Sequence, residues 1–106
     1  MDELAAWVQL WFVDVLERRA SNTLRWCQQW DRHPEVVTRM RVLYASWLQV
    51  TTHGDALAYS SWMLDHLDRH LAAMQSTFGP FAACSPDRHT PHKGLSVEPM
   101  RSRLTA

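Results

Sequence analysis

The sequence predicts an all-α fold: a small three-helix domain with a structured aromatic connection between its first two helices and a loose C-terminal tail. Three observations carry this. Apolar residues recur at three- and four-residue steps in three separate stretches. Pro34, Gly54 and the Gly79–Pro80 pair punctuate those stretches. The segment LRWCQQWDRH between the first two is too aromatic to be a linker.

The first helix is expected over about residues 2–20. Leu4, Trp7, Val8, Trp11, Val15 and Leu16 form one apolar face, with Gln9, Glu17 and Arg18 away from it. Asp2 and Glu3 suit the positive end of the helix dipole, and Arg18 and Arg19 the negative end. Ser21 and Asn22 favour non-helical backbone and end the helix. In the connection, Trp26 and Trp30 lie four apart and permit a short helical turn.

The second helix starts at Pro34, since proline suits the first helical position, and Glu35 follows in the first turn. It runs to about Val50 with Val36, Val37, Met40, Leu43, Tyr44 and Trp47 inward, and Thr51 to Gly54 break it. The third helix, from Asp55 or Ser60 to Ser76, carries Leu64, Leu67, Leu71 and Met74 as its main stripe, with Trp62, His66, His70 and Ala73 beside it. From Ser85 onward three prolines and scattered polar residues give no period, which predicts a tail.

With 106 residues the chain can build a single core of modest size. Apolar residues make up 46% and charged residues 21%, ordinary values for a folded domain. Six tryptophans can supply much of the core, and that role comes before any base-stacking one. Acidic and basic residues balance at 11 each, so no global field draws nucleic acid or an anionic membrane. Locally, Arg18, Arg19, Arg25, Arg32, Arg39 and Arg41 face only Asp31 and Glu35 in sequence. This cluster is either a set of solvated helix edges or a docking surface for an anionic partner.

No run of eighteen apolar residues is present to span a membrane, and acidic Asp2 and Glu3 are the wrong charge for a secretory leader. The expectation is a cytoplasmic protein with reduced thiols at Cys27 and Cys84; in an exported chain a bridge between them would be the alternative.

The chemistry centres on His66 and His70, one helical turn apart and able to reach one ion. Cys27 and Cys84 could complete a tetrahedral zinc shell with them, Asp65 and Asp68 being outer acceptors for the imidazoles. The competing reading is a partly buried helix face with hydrogen-bonded rings and no metal. A zinc peptidase would need glutamate directly after the first histidine, where Leu67 stands. His33 is a further ligand contender but reads first as a helix cap before Pro34. Cys84 near His89 invites a nucleophile–base pair that lacks an orienting group.

Read together, RWCQQWDRHPE (25–35), Ala45-Ser46-Trp47, SSWMLDHLDRHL (60–71) and GPFAACSPDRH (79–89) resemble a tryptophan-rich domain family of unknown function found in actinobacteria and their plasmids, integrative elements and phages. The resemblance covers residues 5–89. Its recognisable segments are Arg-Trp-Cys, His-Pro-Glu, Trp-x-x-Asp-His-x-x-x-His and Gly-Pro-Phe-x-x-Cys. Cys27, His66, His70 and Cys84 all fall on these segments, as do Trp26, Trp30 and Trp62. Met63 and Leu64 depart from relatives that carry tryptophan or a basic residue there.

The resemblance thus implies a structural zinc ion held by those four residues, giving a zinc-stapled domain over 1–89 and a flexible tail over 90–106. It implies no known activity. The leading expectation is a non-catalytic adaptor or regulatory protein of a mobile element or phage, binding a protein or nucleic acid, with self-association left open. The alternatives are a small zinc enzyme using His66, His70 and Cys84 with an open fourth position, and a metal-free oligomerising module.

Overall fold

The computed structural model describes residues 2–18, 20–85, 87–91 and 94–99. The described chain is all-helical, and its single β-bridge joins Ser85 to Arg88. Helix α1 covers residues 2–15, helix α2 is Pro34–His53, and helix α3 covers residues 56–75. A short 3-10 turn, Trp30–Arg32, leads into α2.

Helix α2 forms as its residues dictate. Pro34 takes the first turn, and Val36, Met40 and Leu43 are buried with Val37, Tyr44 and Trp47 packed at the edge of the core. It extends to His53 rather than Val50, and Thr51 stays helical by donating its hydroxyl to the Trp47 carbonyl at 2.7 Å. Gly54 caps it, and the Asp55 carboxylate accepts the Ala58 amide at 2.9 Å to start α3.

The other two helices are interrupted by a wider turn. In α1 the stretch Val8–Phe12 is π-helical, and in α3 the stretch Met63–Leu67 is. The Val13 amide reaches back to Val8, and the Asp68 amide to Met63. Each five-residue bond inserts one extra residue and rotates the following face. In α3 the buried residues are therefore Trp62, Leu67, Leu71 and Met74, and Leu64, expected on the main stripe, is 62% exposed. In α1 Phe12 enters the core while Val15 is half exposed. The helix also stops at Val15, because Leu16 is extended, rather than continuing to Ala20.

Aromatic rings knit the three helices. Trp7 stacks on Trp11 at 5.4 Å and meets Tyr44 and Trp47 of α2, while Trp11 meets Trp62 of α3 at 5.9 Å. Two indole N–H groups are satisfied inside this cluster: Trp62 donates to the Ser46 hydroxyl at 2.7 Å and Trp47 to the Tyr59 hydroxyl at 3.0 Å. The last described residues, 94–99, are exposed and carry no regular structure. Among the described residues no helix is long and apolar enough to cross a membrane.

The shifted phase of α3 gives a direct test. Leu67→Ala should cost about 2–5 kcal/mol, as for other emptied core sites. Leu64→Ala should stay within about 0.5 kcal/mol. Urea unfolding of the two variants checks this, and equal losses would contradict the π-helical register.

Candidate metal centre

The four side chains that converge come from two short segments. Cys27 lies in the connection, held by backbone and side-chain bonds of its neighbour Arg25. The Arg25 amide donates to the Gln75 carbonyl at 2.9 Å, and its guanidinium donates twice to the Ala82 carbonyl, at 3.3 and 2.9 Å. Trp26 then wedges between Phe12 and Phe81. Six residues after Cys27 the 3-10 turn delivers His33 to the start of α2, its amide bonded to the Trp30 carbonyl at 3.1 Å.

The second segment follows α3. Gly79 permits the turn, because a Cβ there would lie 2.4 Å from the Ala73 carbonyl oxygen. Pro80 and Phe81 are buried beneath it, and the Cys84 amide bonds back to the Phe81 carbonyl at 2.9 Å. A tight turn then closes with two bonds between Ser85 and Arg88, at 2.9 and 3.1 Å, and brings His89 round to the cysteines.

Cys27, His33, Cys84 and His89 place their sulfur and nitrogen atoms within 4.8 Å of one another, and this group could hold a metal ion. The Cys27 sulfur lies 3.2 Å from His89 Nδ1, and the Cys84 sulfur lies 3.5 Å from His33 Nε2 and 4.0 Å from His89 Nδ1. A tetrahedral ion with bonds of about 2.3 Å to sulfur and about 2.0 Å to nitrogen would set sulfur–nitrogen edges near ~3.5 Å. Those observed edges bracket that value. Both cysteines and His33 are buried, and His89 is half-buried. The rings of His33, Phe81 and His89 meet edge to face at 5.1 and 4.9 Å, which fixes both imidazoles.

The cysteines are free thiols, not a disulfide. Burial, opposed by the Gln29 amide and helped by Cys84 and Asp31, pushes the Cys27 thiol up to about 11. A cation entering the cluster must therefore displace the proton, so metal uptake releases protons and weakens in acid. The Thr90 amide also donates to the Cys84 sulfur at 3.4 Å, a contact that stabilises a thiolate ligand.

Both expected cysteines are thus in the cluster, but His66 and His70 are not among its members; His33 and His89 stand where they were expected. His66 is exposed and lines a shallow hollow between α2 and α3 with Ser46, His53 and Trp62. His70 Nδ1 lies 3.0 Å from the Arg39 guanidinium, which also bonds Glu35 at 3.0 Å. Their helix turns this side toward α2, whereas the cysteines meet beyond the helix end. Asp65 is exposed, and Asp68 sits 3.9 Å from Arg18, so neither serves the cluster.

His33 is a cap in backbone only. Its side chain makes no capping bond and turns to Cys84 instead. A readable signal for the true partners existed: each cysteine is followed five or six residues later by a histidine that ends an Asp-Arg-His triplet, 31–33 and 87–89. The same triplet recurs at 68–70 without a preceding cysteine.

The arginine cluster is dispersed by the fold. Arg25 and Arg39 are engaged internally, Arg18 pairs loosely with Asp68, and Arg32 and Arg41 are exposed. Arg19 lies outside the described residues.

The molecule is therefore a small all-α domain with a buried Cys/His cluster able to hold a metal ion. It belongs to the family described as a domain of unknown function, DUF4913, whose model matches residues 1–103. No curated protein and no solved structure matches the chain.

His70 gives a second test. Burial, then the charges of Arg39 and His66, hold its imidazole below the ordinary value. The folded state binds fewer protons there than the unfolded chain, so this contribution to stability is complete above about pH 6.5 and is lost as pH falls. Comparing urea midpoints at about pH 8 and about pH 5, His70→Gln should lose less stability on acidification than the parent. A larger loss in the variant would reverse the assignment.

Proposed function

We propose that the chain is a non-catalytic, zinc-stapled adaptor or regulatory module, and that Cys27, His33, Cys84 and His89 hold one structural zinc ion. The observation that carries this reading is the donor set itself. Two thiols and two imidazoles fill all four positions of a tetrahedral zinc shell and leave none for a substrate or an activated water. The chemistry favours zinc over harder ions, because no carboxylate belongs to the group. An enzyme built on His66, His70 and Cys84 has no observation in its favour, since those histidines point to α2 and Arg39.

A partner-binding role rests on the chain's surface and its resemblance. The residue pattern suggests an actinobacterial mobile element or phage as the setting and the cytoplasm as the compartment. A protein or nucleic acid is the proposed partner, and Arg32 and Arg41 are the exposed members of the arginine-rich stretch that could meet a phosphate.

Elemental analysis of purified protein should find close to one zinc per chain. His33→Ala and His89→Ala should each lose zinc and the cooperative melt, while His66→Ala keeps both. Protein that melts cooperatively without any metal would sink the staple. If nucleic acid is the partner, Arg41→Glu should weaken binding and flatten its salt dependence. An unchanged salt slope would leave the protein-partner form of the proposal.

A further inference from the structure

We infer that Cys27 and Cys84 are also a redox switch: a peroxide joins their sulfurs as a disulfide and so empties the metal site. This rests on the zinc reading above and adds a regulation to it.

The geometry supplies the needed parts. The two sulfurs lie within 4.8 Å of each other, both as free thiols, so bond formation requires a short approach rather than refolding. A hollow of about 170 Å³ is lined by Ser21, Asn22, Arg25, Trp26, Cys84 and Ser85. Cys84 is among its lining residues and Cys27 is not. In the zinc-loaded protein the ion would hold both sulfurs as thiolates. Cys84 is therefore the sulfur oxidised first, and Cys27 is the one positioned to resolve it.

The step balances as follows. The Cys84 thiolate takes one oxygen of hydrogen peroxide; the O–O bond breaks and hydroxide leaves, giving the sulfenic acid. The Cys27 thiolate then attacks that sulfur, the S–O bond breaks, and a second hydroxide leaves as the disulfide forms. Two thiolates lose two electrons and the peroxide gains them. The ion is left with two imidazoles, too few to hold it. The bridge keeps Cys84 tied to Cys27, so the part of the cluster set free is the imidazole pair, His33 and His89.

The test uses the full chain loaded with zinc. Hydrogen peroxide is added in excess after the reductant is removed, and free zinc is followed with a chelating dye alongside intact mass. The expected result is release of the bound zinc, a chain lighter by two hydrogens than the reduced apoprotein, and a Cys27–Cys84 peptide on non-reducing digestion. Reductant plus zinc should restore the loaded form. Cys84→Asp keeps four donors but cannot form the bridge, so its zinc should leave at least about tenfold more slowly.

Zinc that stays bound in the parent, or release with no Cys27–Cys84 peptide, overturns the switch while leaving the staple standing. A chain that neither contains nor takes up zinc overturns the staple and the switch with it. Should Cys84→Asp fail to fold, the mapped disulfide in the parent chain still decides the matter.

Discussion

The wedge of Phe81 between Trp26 and His33 is the contact on which both the fold's lower end and the cluster depend. Its ring is wholly buried, 5.0 Å from the indole and 5.1 Å from the imidazole. It fixes the turn after α3 against the connection before α2, two segments that share no helix. Arg25 locks the same junction from outside through the Gln75 and Ala82 carbonyls. With that junction set, Cys27 and His33 on one side and Cys84 and His89 on the other can only face each other.

The division of labour in the rest of the molecule follows. The tryptophan-rich upper part, with Trp7, Trp11, Trp47 and Trp62, is held by burial and ring contacts among the three helices. The lower part gathers four side chains able to hold a metal ion. Small domains whose cores are marginal commonly rely on such a cross-link. Burial raises the Cys27 thiol because a thiolate taken out of water is disfavoured unless a cation pairs with it.

The π-helical turns in α1 and α3 have a consequence for the site. The extra residue in α3 keeps Trp62 and Leu67 on the same buried side and carries Leu64 outward, with His66 exposed beside it. His70 is drawn instead to Arg39, so an i,i+4 histidine pair that suits a metal on an isolated regular helix ends up serving the α2 contact. His66 stays close enough to help lower the His70 pKa, but neither imidazole joins the cysteines.

What the residues determined by themselves is the all-α class, the three helices, the inward face of α2 and the importance of both cysteines. These follow from local periodicity, Pro34 at a helix start and the scarcity of thiols, all short-range properties of the chain. The phase of α1 and α3 was not legible, because a π-turn has no compositional mark and is selected by how the helix packs. The identity of the two histidines was only hinted at by the spacing from each cysteine to an Asp-Arg-His triplet, and tertiary structure decided it. Which imidazoles reach Cys27 and Cys84 depends on where Phe81 and Gly79 direct the chain after α3. His33 and His89 arrive there from opposite ends of the sequence, beyond the reach of any helical spacing.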